Sequence, residues 1–157
     1  MTQDANIQER PMPVTATIIP QLSLVHVVGT GTLTEDELRS ALTTCYAQPD
    51  YRFGMPEIAD MSQVGFIDTR FDIHQSFVKE LATLHADQGA ALHVVFLGLT
   101  GQPALMVEMF RNLVAAQDPK AKIETANGYP EVLALLDLPA EAIQHFPKTC
   151  QTESHPV

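Results

Sequence analysis

Six histidines are the side chains in this 157-residue chain that could most readily bind a metal ion. His74 and His85 fall on one face of a predicted helix, but they are eleven residues, and therefore about three turns, apart. Histidines that share an ion from one helix are usually four residues apart, and the sequence has no such pair on a predicted helix. The spacing therefore predicts no metal site. His93 lies in a predicted central strand, where a buried imidazole needs a hydrogen-bond partner.

The residues that could act as nucleophiles or bind phosphate do not lie in the usual motifs. The chain has no Gly-x-Ser-x-Gly motif, and Cys45 falls within the apolar stripe of a predicted helix, where a core thiol is expected. Residues 29–32, Gly-Thr-Gly-Thr, lack the third glycine and the lysine of phosphate-binding loops. Asp60 and Asp68 could form a carboxylate pair, but a loop start and a helix cap account for both. The sequence therefore predicts neither catalytic residues nor a cofactor.

The balance of charges limits the classes of partner. Nine lysines and arginines against nineteen acidic residues give a net charge of −10, which repels nucleic-acid phosphates and anionic lipid. The apolar runs reach only about half of the ~20 residues that span a bilayer. The polar residues 1–10 contain no apolar core of a signal peptide. We therefore expect a cytoplasmic protein whose partners are proteins or small molecules.

Strand and helix patterns alternate along the chain. Strands are predicted over 14–19, 22–28, 55–59, 91–97 and 122–126, and a helix follows each of the last four. Thr34 and Glu37 have the spacing of a capping box, which predicts where the first helix begins. The run at 91–97 is apolar and β-branched, as is typical of a strand buried on both faces.

The order ββαβαβαβα predicts an α/β fold. Its sheet would be mixed and mostly parallel, covered by helices, with an antiparallel strand at one end. A single domain is expected over residues 14–145. Residues 1–13 are predicted to form a flexible arm and residues 146–157 a flexible tail.

The predicted helix that begins near Pro103 is apolar on nearly all sides. Its residues Met106, Met109 and Phe110 could line a pocket for a small apolar or amphipathic, lipid-like ligand, or an interface, although core packing is the commoner role. The preceding helix carries a second apolar face that includes Phe71 and Val78. A helix that is apolar all round must be covered on several sides, so a homodimer is an alternative.

Residues 60–69, Asp-Met-Ser-Gln-Val-Gly-Phe-Ile-Asp-Thr, resemble the signature of STAS domains, the sulfate-transporter and anti-sigma-factor-antagonist domains. In that family a strand ends in Asp-hydrophobic-Ser, here with Ser62 as the serine, and a segment ending in Asp-Ser-Ser-Gly opens a helix. The predicted strand–turn–helix context agrees, as does the order of elements from about residue 14 to 136. The start of the first predicted helix at Thr34, and the predicted strand 122–126 with the helix that follows it, resemble the same elements in a bacterial group of STAS-like and lipid-binding-like proteins.

The resemblance implies a phosphorylation site. In the antagonists a kinase phosphorylates the serine that follows the aspartate, and here Asp68 and Thr69 occupy those positions, whereas Arg70 and Phe71 replace Ser-Gly. A phosphate on Thr69 would lie at a helix N-terminus, where free N–H groups and Arg70 favour negative charge. The alternative role of Asp68 and Thr69 is that of an ordinary helix cap.

Three functional hypotheses follow. The first is a non-enzymatic, STAS-like regulatory or interaction module that acts by contact with a partner protein or with a second copy of itself. The second is a binder of a small apolar or amphipathic ligand held under the methionine-rich helix. The third is an enzyme with an unrecognised active site.

Overall fold

Helices and strands alternate in the computed structural model, which describes residues 13–148 and residue 150. The elements in chain order are β1 (Val14–Ile19), β2 (Leu24–Thr34), α1 (Glu35–Tyr46), β3 (Glu57–Asp68), α2 (Phe71–Asp87), β4 (His93–Leu97), α3 (Gly101–Gln117), β5 (Lys122–Ala126), α4 (Tyr129–Leu135) and a 3-10 helix (Ala140–His145). This order confirms the predicted ββαβαβαβα pattern.

The five strands form one sheet in the order β1-β2-β3-β4-β5. β1 is antiparallel to β2, and the other neighbours are parallel. Each parallel crossover moves one strand further in the same direction, so right-handed crossovers bring α1, α2 and α3 to one face of the sheet. The predicted fold class, a mixed and mostly parallel sheet covered by helices, is confirmed.

The sheet separates two hydrophobic cores. Val27, Ala59 and Phe96 face the first core, where they pack against α1, α2 and α3. Ile58 and Val95 face the second core, which α4 and the 3-10 helix cover. Successive residues of β4 therefore face the two cores in turn, as expected for a strand buried on both faces. His93, at the start of β4, is half-buried, and its Nε2 lies 2.8 Å from Glu124 Oε1 on β5.

The predicted capping box is present at the junction of β2 and α1. Thr34 Oγ1 accepts a hydrogen bond from the backbone N–H of Glu37 at 3.1 Å, and Glu37 Oε1 accepts one from the backbone N–H of Thr34 at 2.9 Å. Two of the N–H groups that a helix start leaves without partners are thereby satisfied. The cap fixes the direction in which α1 leaves the sheet.

β3 is much longer than predicted. A short strand was expected over 55–59, followed by a loop, whereas β3 continues to Asp68, which pairs with Thr34 of β2. The far half of β3 extends beyond the end of β4, and α3 supports it instead. Gln102 Oε1 accepts from Ile67 N at 2.8 Å and Gln102 Nε2 donates to Ile67 O at 2.9 Å. This side chain replaces a neighbouring strand at that point, which short-range periodicity does not reveal.

The folded region reaches further towards the C-terminus than the predicted limit of residue 145. Phe146 and Cys150, which the sequence analysis assigned to a flexible tail, are 3% and 5% exposed and belong to the second core. The Phe146 ring packs edge-on against His26 at a centroid distance of 5.0 Å. A lone aromatic residue gives no periodic signal, so the sequence did not indicate this contact. Residues 1–12 of the predicted arm, and residues 149 and 151–157 of the tail, lie outside the described residues.

Candidate functional site

Three polar residues meet where β3 ends and α2 begins. Glu35, the first residue of α1, is only 4% exposed. Its Oε1 accepts a hydrogen bond from Thr69 Oγ1 at 2.6 Å and lies 2.8 Å from Nδ1 of His74 on α2. We call Thr69, Glu35 and His74 the Glu35 cluster. It connects the half-buried Thr69 with the first core.

Glu35 is held in its ionised form. Burial raises the pKa of this carboxyl, but the hydrogen bonds from His74 and Thr69 outweigh it and bring the pKa below its usual value. Because an ionised carboxylate can only accept, His74 Nδ1 must carry the proton of this hydrogen bond. His74 Nε2, on the other side of the ring, is buried and has no hydrogen-bond partner among the described residues.

The order of groups in the Glu35 cluster is not that of a nucleophilic triad. In a triad the histidine lies between the hydroxyl and the carboxylate, so that it can take the hydroxyl proton. Here the carboxylate lies between Thr69 and His74. The imidazole therefore cannot take the proton of the threonine hydroxyl, and the cluster is not a triad of that kind.

A cavity of about 70 Å³ lies between the sheet and the three helices of the first core. Thr34, Glu35, Glu57 and His74 are the polar residues that line it, and the other lining residues are apolar. Met106 and Phe110 line it, as the ligand hypothesis expected, whereas Met109 is half-buried and is not among the lining residues. The volume is well below the ~300 Å³ typical of small-molecule sites.

The segment that resembles the phosphorylation motif has a different local structure from the one expected. Arg70, and not Asp68 or Thr69, occupies the N-cap position of α2, and no side chain caps the helix there. Asp68 is exposed, and Arg70 Nε lies 3.6 Å from Asp72 Oδ1. The predicted helix-cap role of Asp68 and Thr69 is therefore wrong, because the Thr69 hydroxyl is used by Glu35. Ser62 does not join this group.

Exposed apolar side chains concentrate at the same end of the sheet. Five large hydrophobic residues are exposed among the described residues, and three of them are Phe66 (47%), Phe71 (57%) and Leu105 (72%). Phe66 is on β3, Phe71 opens α2, and Leu105 lies one turn after Gln102, the residue of α3 that binds the end of β3. We call these three residues the β3-end surface.

Val78, which the sequence analysis placed on a second apolar face of the helix, is buried in the protein interior. It is 1% exposed and packs in the first core, so its predicted role in an interface is wrong. The helical pattern correctly marked Val78 as apolar, but it could not indicate that the sheet and α3 already cover that side of α2.

Glu35 and His74 were not singled out as partners by the sequence. Acidic residues are common in a first helical turn, where they favour the helix dipole, so Glu35 had an ordinary explanation. His74 is considered in the sequence analysis only as a possible metal ligand with His85. Their contact joins positions 39 residues apart, and only the packing of α1 against α2 brings them together.

A second buried polar network lies on the opposite face of the sheet. Tyr129 Oη donates to Asp60 Oδ2 at 2.6 Å and accepts from His26 Nε2 at 2.9 Å. Asp60 Oδ1 accepts from Ser62 Oγ, also at 2.6 Å. Burial lowers the pKa of His26 to about 4, although the Asp60 charge opposes this, so the imidazole is neutral near pH 7.

Cys150 brings a third metal-binding side chain to this network. Ligand atoms of His26, Asp60 and Cys150 lie within 4.8 Å of one another, and all three residues are buried. The sequence predicted no metal site, because these positions are distant along the chain. However, the Tyr129 hydroxyl already bonds two of the three residues, so the network needs no ion to satisfy its polar atoms.

Neither a scan of protein families nor a search of curated proteins finds a match. Among solved structures, the chain is similar to the murine Solute Carrier 26 family member A9 (Slc26a9) anion transporter in the inward-facing state. The TM-score is 0.49 at 9% sequence identity, over 87% of this chain and 24% of the transporter chain.

None of the helices in the described part of the chain is long and apolar enough to cross a membrane.

Proposed function

We propose that this chain is a non-enzymatic regulatory module that binds a partner protein through the β3-end surface. The observation that supports the proposal is the concentration of Phe66, Phe71 and Leu105 at one end of the sheet, while most other large apolar side chains are buried. Clustered exposed apolar residues are typical of interaction sites. The STAS-like resemblance of residues 60–69 points to the same segment, and membership of that family stays a prediction.

The charge around the β3-end surface indicates the chemistry of the partner. Asp68 and Asp72 are exposed, and the neighbouring Arg70 lies beside Asp72. A partner with an apolar groove bordered by lysine or arginine would complement this surface. A second copy would bring the same net charge of −10, so a basic, cytoplasmic partner protein is favoured over the homodimer.

Thr69 is the proposed regulatory residue of this surface. A phosphate on its Oγ1 would remove the hydrogen bond to Glu35 and place negative charge beside Glu35, Asp68 and Asp72, with Arg70 as the nearby cation. Repulsion would then displace Thr69 from Glu35 and change the surface next to Phe71. The proposed switch therefore acts by expelling a residue from a buried contact.

The alternative of a lipid-like ligand receives little support. A cavity of about 70 Å³ under α3 is too small for a lipid chain, since ligand sites usually enclose at least ~300 Å³.

Site-specific photocrosslinking tests the proposed surface. A photoreactive phenylalanine analogue replaces Phe71 in the full chain in cells, and a matched chain carries the analogue at Leu135, a 39% exposed residue distant in sequence. We expect position 71, but not position 135, to crosslink one partner protein. We also expect the double variant Phe66→Ser, Leu105→Ser to lose that product. Equal crosslinking from both positions, no product, or a product containing only this chain would contradict the proposal.

Phosphosite mapping tests the switch separately. The purified chain is incubated with cell lysate and ATP, and modified residues are identified by mass spectrometry. We expect phosphate on Thr69 and weaker crosslinking from position 71 after modification. Stoichiometric phosphorylation elsewhere with Thr69 unmodified would reject the switch, while leaving the docking surface to its own test.

A further inference from the structure

We propose that the cavity beside His74 binds a small, uncharged and mainly apolar molecule with one hydroxyl group. The site lies inside the first core, so the inference does not depend on the proposed partner protein.

The polar end of the site is His74 Nε2. The side chain is 6% exposed, and its Nδ1 is fixed 2.8 Å from Glu35 Oε1. This contact orients the ring, as a carboxylate commonly does for a functional histidine. Nε2 is left buried without a partner among the described residues, although His74 lines the cavity. Buried polar atoms nearly always have a partner, so this atom indicates that a small polar group belongs in the space beside it.

A hydroxyl group is the best match to Nε2. A neutral His74 that donates from Nδ1 presents a lone pair at Nε2, whereas a protonated ring presents an N–H group. A hydroxyl can donate to the first and accept from the second. A carbonyl would match only the protonated ring.

The rest of the cavity determines the body of the ligand. Leu38, Phe77 and Met106 are among the apolar residues that line it. An anion would face the ionised carboxylate of Glu35 in the same space. Any ion would also lose its hydration, and the surroundings of Glu57 stabilise charge poorly, since burial raises the pKa of Glu57 to about 7. These conditions favour an uncharged, mainly apolar molecule.

The cavity volume sets the size of the ligand. About 70 Å³ is several times the ~10–15 Å³ that one water needs, and far less than a drug-sized ligand requires. A short-chain alcohol fits this range. Met106 is half-buried, and its flexible side chain provides an element of the wall that can move to admit such a molecule.

Titration of the ¹⁵N-histidine-labelled full chain with 1-butanol tests the site by NMR. The matched probe is 1-chlorobutane, which has a similar size but no O–H group. We expect a saturable shift of the His74 Nε2 resonance with butanol. His85 is buried on the same helix but bonds Leu81 O and does not line the cavity, so its resonance should stay constant. Butanol should bind about tenfold more tightly, the factor that corresponds to one hydrogen bond of ~1.4 kcal/mol.

Variants that fill the cavity provide the control. Ala59→Val and Val107→Ile each add carbon atoms at lining positions without removing a polar group. At least one should fold, and it should lose the butanol response while the contact between His74 and Glu35 remains. A response that survives filling would overturn the proposal. Equal affinity for the two probes would also overturn it, as would no saturable shift at His74, the result expected if the cavity holds water only. None of these results bears on the crosslinking test.

Discussion

Glu57 provides the most quantitative test of the first core. It is the first residue of β3, is 3% exposed, and accepts a hydrogen bond from Tyr46 Oη at 2.6 Å. Burial raises its pKa from 4.5 to about 7, and the hydrogen bond from Tyr46 opposes this only in part. The folded protein therefore binds this proton more tightly than the unfolded chain does. We predict that Glu57 makes folding less favourable as pH rises.

The direction and the size follow from linkage. A raised folded-state pKa gives a contribution that is most favourable below pH 4.5 and is lost as pH rises through about 7. One pKa unit corresponds to about 1.36 kcal/mol, so the complete change is roughly 3 kcal/mol. About 2–3 kcal/mol of it falls between about pH 5 and pH 8. Glu57→Gln removes the titration but keeps an oxygen that can accept from Tyr46.

Urea unfolding of the wild type and of Glu57→Gln at pH 5 and pH 8 measures this contribution. Other titrating groups are shared by the two proteins, so their effects cancel in the difference between the two pH profiles. We expect the free energy of unfolding of the variant to fall less between the two pH values, by about 2–3 kcal/mol. Glu141→Gln, a change at an exposed carboxylate, should leave the profile unchanged. Parallel profiles for wild type and Glu57→Gln would refute the argument.

Three further changes in the free energy of unfolding, each measured by urea denaturation, test other parts of the fold. Thr34→Ala removes the capping box and should lower the free energy of unfolding by about 1 kcal/mol. Thr44→Ala, at an exposed position of the same helix, should leave it unchanged, and equal effects of the two changes would contradict the role of the cap. Gly98→Ala would place the new Cβ 2.6 Å from Ser62 Cα, whereas the Cβ of Gly31→Ala, at a similar positive φ, would have no atom within 4 Å. Gly98→Ala should therefore lower the free energy of unfolding by roughly 1–3 kcal/mol more than Gly31→Ala does. Phe146→Ala should cost about 3–5 kcal/mol, and a loss below ~1 kcal/mol would contradict its place in the second core.

The parts of the fold that could be predicted from the sequence depend on neighbouring residues. Thr34 and Glu37 are three residues apart, so their capping box could be recognised without knowing what α1 packs against. The apolar run that became β4 was similarly clear, since burial on both faces leaves no polar position in the strand centre. The order of strands and helices followed from such local patterns.

The parts that could not be predicted depend on contacts between distant residues. The length of β3 is set by its pairing with β2 and by Gln102, which lies 35 residues from Ile67. The contact between Glu35 and His74 and the burial of Phe146 also require knowledge of how the layers pack. The candidate site was therefore predicted only in part. Thr69 was singled out, but the carboxylate that binds its hydroxyl was not.

Thr69 and His74 depend on one atom, because Glu35 Oε1 accepts from both. Losing either donor changes how strongly that oxygen holds the other, and such thermodynamic coupling operates equally in both directions. A molecule bound in the cavity beside His74 would therefore change how readily Thr69 is phosphorylated. Phosphorylation of Thr69 would in turn change the affinity of the cavity for that molecule. Two hydrogen bonds would provide this communication without any rearrangement of the sheet.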